Sequence, residues 1–364
     1  MLLPGILACV IVAVAGAWAA DHVSLFVAGL SGINPADKNA HNLVSGISLA
    51  VIIGLLWRNI FGLNARLQPG VAWSVKSALR AGIVLLGFKL ALGATGAMAG
   101  KALPVAAACI ASALLVVTFF NNRLRLPPKL GALIAVGTSI CGVTAIVATG
   151  PAIKAREDET SYAVACVTIF GLIALFAYPW IAHWRFASDP LLAGIFLGTS
   201  IHDTSQVAGA AMIYQEAFSE PLALQAATVT KLLRNMSMAV LIPVIATRFA
   251  GENGAGSAQS SKWKQVKDAV PGFVVLFLLA IILRTIGDTV FGSGNQSWGQ
   301  FLHASEWVSK WALAAALAGI GLNTEFAKLK NLGLKPLLVG LVAALVVGVV
   351  SMSMLALIAG QAAG

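Results

Sequence analysis

A chain of 364 residues with 59% hydrophobic and only 10% charged residues falls outside the soluble globular class, in which about a quarter of residues are charged. Its net charge of +10 would suit nucleic acid in a soluble chain, but a mean hydropathy of +0.88 places the basic residues in the cytoplasmic loops of a membrane protein, with no nucleic-acid partner. The 36 glycines and 13 prolines, without any alternation of polar and apolar positions, favour closely packed and interrupted helices over an outer-membrane barrel.

A bilayer crossing needs about 20 apolar residues. Eleven stretches are candidates: 1–20, 43–60, 78–98, 103–121, 130–150, 161–183, 190–214, 222–247, 269–287, 305–323 and 335–360. The first ends in Ala-Trp-Ala like a signal peptide, but no Lys or Arg precedes its apolar run, so it reads as a span. Pro104, Pro190, Pro221, Pro271 and Pro336 lie near span starts, where a missing backbone donor costs little. Cys9, Cys109, Cys141 and Cys166 all fall inside apolar stretches without metal-ligand spacing, so neither a disulfide framework nor a metal or cofactor is expected. The fold class is an all-α polytopic membrane protein, one integral domain over 1–364 with approximate halves 1–185 and 190–364.

The loops between these spans divide into two alternating sets, one holding fifteen Lys and Arg and the other five, the latter with the acidic run Glu157, Asp158, Glu159. Such a bias predicts a bacterial inner-membrane protein with its N-terminus cytoplasmic and its C-terminus periplasmic. The Gly/Ser-rich, then basic, segment 251–268 reads as a cytoplasmic linker, and the basic loops favour anionic lipid. Gly87 to Lys101 and Gly321 to Lys335 are echoes of equal length lying on opposite sides of this topology, as inverted repeats require. A second echo, Gly137-Thr138-Ser139-Ile140 against Gly198-Thr199-Ser200-Ile201, does not fit the inversion.

Four basic residues fall inside spans: Lys89, Lys231, Arg234 and Lys310. Lys310 is close enough to a helix end to snorkel. Each of the other three costs at least about 2.5 kcal/mol in mid-membrane, so they should face a protein interior or water. Lys231 and Arg234 share a helix face, and the one comparably central acid is Asp203, beside His202. This surplus of buried cation predicts a small anionic substrate; the alternative is a fixed brace in which Asp203 pairs with Lys231 or Arg234 and Lys89 reaches a carbonyl.

Two stretches carry the composition of unwound helix. Thr138, Ser139, Cys141, Gly142 and Thr144 sit at the centre of the fifth span, where a broken helix would offer free N–H groups to an anion; close helix packing is the other reading. Ser200, His202, Asp203 and Gln206 belong to a polar run that lipid-facing helix does not carry, and His202 with Asp203 and Gln206 are candidates for proton coupling or gating, against an ordinary packed histidine. Asn323, with Gly319, Gly321 and Thr324, forms a third and weaker break.

At GTSICG, GTSIHDTSQVAG, VLLGFKL and IGLNT the chain resembles the YeiH-like bacterial sulfate exporter family over nearly its whole length. The Gly-rich break GTSICGVTAI is more distantly similar to the crossing-helix region of bile-acid symporters and cation/proton antiporters. The resemblance implies ten to eleven helices in two inverted repeats, discontinuous helices crossing near the midplane, a core domain and a dimerising scaffold. It also implies export of sulfate or sulfonates. No pair of adjacent buried aspartates is present, which argues against a sodium/proton exchanger.

The expected function is therefore secondary-active transport of a small anion. Lys89, Lys231 and Arg234 would attract it, and the segments at Thr138, Ser139, Cys141, Gly142, Thr144, Ser200 and Asn323 would bind it. An ATPase motor is excluded by the absence of a phosphate-binding Gly-x-x-x-x-Gly-Lys loop. An anion channel is the alternative. An intramembrane enzyme built on His202, Asp203 and Ser200 or Ser205 is disfavoured, because adjacent helical residues point about 100° apart.

Overall fold

The computed structural model describes residues 2–30, 44–250, 272–292, 295–329 and 333–362. Among the described residues every regular element is helical and none is a strand. The chain runs α1 (Leu3–Leu30), α2 (Gly46–Ile60), then a stretch Gln68–Lys89 built of α3 (Gln68–Trp73), one π turn, α4 (Leu79–Leu86) and a final 3-10 turn. It continues through α5 (Leu92–Arg123), α6 (Pro128–Ser139), α7 (Val143–Ala152), α8 (Glu157–Phe186), α9 (Pro190–Ser200) and α10 (Thr204–Phe218). The remainder is α11 (Pro221–Met236), α12 (Met238–Ala250), α13 (Gly272–Phe291), α14 (Gln296–Asn323) and α15 (Leu334–Ala362).

Seven of these stretches are long and apolar enough to cross a bilayer: α1, Gln68–Lys89, α5, α8, α11 with α12, α13 and α15. The apolar helices α2, α7 and α9 are shorter, and α14 is long but carries His303, Glu306, Ser309 and Lys310 along its length. The chain is thus a multi-pass helical membrane protein.

Two expectations about helix ends change. The turn expected between 98 and 103 lies instead at Leu90 and Ala91, so Lys101 and Pro104 stand inside α5. Three glycines and several alanines precede Pro104, and a proline is tolerated where small neighbours let the helix adjust around it. Lys89 consequently ends its stretch rather than occupying its middle. Arg284, expected in a loop, lies in α13 and pairs with Asp288 one turn on; the same carboxylate accepts from Trp298 Nε1 at 2.9 Å. The segment 251–268, expected as a linker, lies outside the described residues.

The chain forms two compact units, each drawing on both halves of the sequence: Met1–Gly96, Ala208–Gln225 and Phe273–Ala327 in the first, Ala97–Val207, Ala226–Gly272 and Lys328–Gly364 in the second. In the first unit α14 packs along α2, α4 and α1. The α2–α14 approach depends on glycine: a Cβ on Gly321 would stand 2.3 Å from the Val51 carbonyl oxygen, and one on Gly54 2.8 Å from that of Ala318. In the second unit α6 lies against α7 and α8, and α9 lies against α8 and α15.

Candidate functional site

The second unit contains two interrupted helices. The sequence Gly-Thr-Ser-Ile ends both α6 and α9, and in each the threonine hydroxyl bonds back to the carbonyl four residues earlier, Thr138 to Ile134 at 2.7 Å and Thr199 to Ile195 at 2.8 Å. Such bonds slightly weaken the helical ladder. After α6 the chain turns through Ile140, Cys141 and Gly142, whose φ of +71° belongs to glycine, and restarts as α7. After α9 it turns through Ile201, His202 and Asp203 and restarts as α10. The two breaks touch: a Cβ on Gly142 would lie 2.9 Å from both the Cα and Oδ2 of Asp203.

Where two helices stop, carbonyl groups are left without intrahelical donors and the dipoles present negative ends. Lys231 and Arg234, one turn apart on α11, supply what is missing. Lys231 Nζ donates to the carbonyls of Ile140 and Ile201, each at 2.9 Å, and to that of His202. Arg234 donates through Nε to Ser139 at 2.7 Å, through Nη1 to Thr199 at 2.6 Å and Ile201 at 3.4 Å, and through Nη2 to Thr138. Both are sealed, 0% and 1% exposed. The cations therefore converge, as their spacing predicts, but in this conformation their donors are spent on backbone, not held open for a ligand. Neither makes an ion pair with Asp203 among the described residues.

The restarting ends are arranged differently. Asp203 caps α10, its Oδ1 accepting from Ser205 N at 2.8 Å and from the Ser205 hydroxyl. Gly142, at the same position before α7, has no side-chain oxygen to offer. Thr144 is exposed, while Val143, Asp203 and Thr204 are partly exposed, so the N-terminal side of the crossing is the more exposed one. Around it several buried polar atoms have no hydrogen-bond partner: Ser139 Oγ, Ser200 Oγ, His202 Nδ1, Thr230 Oγ1, Asn235 Oδ1 and Gln206 Oε1. Gln206 is held by its other end, Nε2 donating to the Thr168 carbonyl at 3.2 Å. Cys141 packs its sulfur 3.3 Å from that of Met238.

Thr138, Ser139, Cys141, Gly142, Thr144, Ser200, His202, Asp203, Gln206, Lys231 and Arg234 all lie in this second unit. Lys89 and Asn323 belong to the first and are not part of the crossing. Lys89 is not the uncompensated mid-span cation expected: it pairs with Glu306 at 2.5 Å beside a cavity of about 60 Å³ also lined by Glu216 and Lys310. Asn323 ends α14 next to the point where Asn59 Nδ2 donates to the Thr324 carbonyl at 3.0 Å and Asn59 Oδ1 accepts from Phe326 N at 2.7 Å. Sequence reasoning passed over Thr230 and Asn235, which flank Lys231 and Arg234; Asn235 donates to the Thr204 hydroxyl at 3.2 Å. It also missed Ser351, whose hydroxyl shares a 2.6 Å hydrogen bond with Thr199. A hydroxyl in the apolar final span was the available signal.

Fold and site together define a polytopic helical membrane protein with a crossing of broken helices stapled by buried cations. The chain matches, over residues 4–340, the family described as conserved hypothetical protein 698, and belongs to it, as the expected YeiH-like membership requires. It is 31% identical over 306 residues to a UPF0324 membrane protein of Streptococcus pyogenes serotype M18, covering 84% of this chain and 87% of the relative. A UPF0324 membrane protein of Fusobacterium nucleatum subsp. nucleatum is 30% identical over 308 residues, covering 82% and 85%. One from Nitratidesulfovibrio vulgaris is 30% identical over 325 residues, covering 87% and 85%. No solved structure matches this chain. The more distant resemblance to bile-acid symporters gains no support from these matches.

Proposed function

We propose that the protein is a secondary-active carrier of a small oxyanion, of the sulfate or organosulfonate class. The observation that carries this reading is the asymmetry of the crossing. Two buried cations are fixed at the stopping ends of α6 and α9, while the restarting ends of α7 and α10 share one carboxylate, Asp203, on the more exposed side. Helix N-termini favour negative charge, and the start of α7 has no side-chain cap of its own. An anion there would meet the first N–H groups of α7 and the Thr144 hydroxyl. Lys231 and Arg234 act on it through their field, not by contact.

Asp203 competes with such an anion for the same helix ends, so its protonation favours anion binding; this is the basis we assign to proton linkage, with His202 and Gln206 as neighbours that adjust it. In keeping with the charge bias of the loops, the carrier crosses the bacterial inner membrane eleven times in two inverted halves, from a cytoplasmic N-terminus to a periplasmic C-terminus, and works as a homodimer.

The test is counterflow in proteoliposomes loaded with unlabelled sulfate or methanesulfonate. Saturable uptake of the labelled anion is expected, and Thr144→Val should raise its KM several-fold without changing the melting temperature. Flux that does not saturate and appears as unitary currents would move the protein to the channel class.

A further inference from the structure

The charges gathered at the crossing bear on the charge of the ligand that would complete it. Lys231 and Arg234 contribute two positive charges and Asp203 one negative. His202 is buried against the Lys231 ammonium, which donates to its carbonyl, its Nδ1 is unpartnered, and the neighbouring Asp203 carboxylate is bonded to Ser205 instead, so it is counted as neutral and adds none. Among the described residues of this unit the one buried acid, Glu159, is committed elsewhere, accepting from Arg156 N at 2.9 Å where α8 begins. Helix dipoles do not change the sum, because two stopping ends of about half a negative charge face two starting ends of about half a positive charge. One positive charge is left over.

We propose that the site takes a singly charged oxyanion in preference to a dianion, and that Asp203 sets this preference as a specificity-determining residue. The inference rests on the anion-carrier reading above. A single negative charge brings the crossing to neutrality. A dianion leaves one negative charge in excess beside the Asp203 carboxylate, and it also loses more on leaving water, since the cost of desolvating an ion grows with the square of its charge. The orphaned hydroxyls of Ser139 and Ser200, 0% and 1% exposed, are donors of the kind an oxyanion satisfies without adding charge.

Methanesulfonate and sulfate present the same face of sulfonyl oxygens and differ by one charge, so competition between them on the purified full-length protein at neutral pH reads charge directly. Wild type is expected to bind methanesulfonate at least tenfold more tightly. In Asp203→Asn the cap of α10 survives, because asparagine caps as well as aspartate, but the leftover charge becomes two and the preference should shift towards sulfate by tenfold or more. Asp203→Glu should restore the wild-type ratio, and Asp203→Ser serves in place of the asparagine variant if that protein does not fold. Sulfate preferred by wild type, or an unchanged ratio in the neutral variants while both anions still bind, overturns the inference and leaves the carrier reading standing. Binding of neither anion to wild type overturns the carrier reading and this inference with it.

Discussion

Arg234 reaches four carbonyl oxygens at the ends of two helices, those of Thr138, Ser139, Thr199 and Ile201. Arg234→Ala would remove this donor from buried groups beside Lys231, and the loss of stability should be about 3–5 kcal/mol, the range for breaking a buried charged network. Arg234→Lys should fall between alanine and wild type, because an ammonium is a point donor and does not span the fork of a guanidinium. Lys89→Met is the contrast. Its partner Glu306 is 50% exposed, and a pair this open is worth about 1 kcal/mol or less. Thermal unfolding in detergent separates the two cases. An Arg234→Ala protein that melts with wild type would mean that water replaces the guanidinium at the helix ends. The sequence signals these three lysine and arginine residues equally, as charges in apolar stretches. It does not show that the compensating charge comes from backbone carbonyls, because a carbonyl exposed by a helix break leaves no mark in composition.

The break itself was legible. Glycine at 142, with threonine and serine before it, marks an interruption, and α6 does end at Ser139 with α7 starting at Val143. The Gly-Thr-Ser-Ile echo looked unhelpful because both copies enter from one side, yet it describes the two helix ends that Lys231 and Arg234 join, so matching sequence reflects a matching job at the crossing. The echo from Gly87 to Lys101 is less informative, since Lys101 falls well inside α5 whereas Lys335 is the second residue of α15. Glycine at 142 is required twice over. Its φ of +71° with ψ of −127° costs a side-chain-bearing residue about 1–3 kcal/mol, and a Cβ would press on the Asp203 backbone at 2.9 Å. Gly142→Ala should therefore lower the melting temperature and abolish anion counterflow together. Normal flux in that variant would detach transport from the contact between the two breaks.

The number of crossings is a property of the whole chain, and length and apolarity alone qualify seven stretches. The remaining candidates are the interrupted pairs α6–α7 and α9–α10 and the short α2, whose single helices are each shorter than a crossing needs, and the long α14, which carries polar and charged residues along its length. If each interrupted pair crosses once, successive loops must alternate in side. Asn122, Glu157, Ser188 and Ser219 are exposed positions in or beside the four turns that bracket α6 through α10, and the native cysteines, all buried, should give little background with a membrane-impermeant maleimide. In intact cells, cysteines placed at Glu157 and Ser219 should be labelled, while those at Asn122 and Ser188 should react only after the membrane is opened. Labelling of Asn122 and Glu157 from one side would mean that α6 and α7 enter and return as a re-entrant hairpin. The sides of every later loop would then exchange, and the bias of fifteen basic residues against five would no longer describe two faces of one membrane.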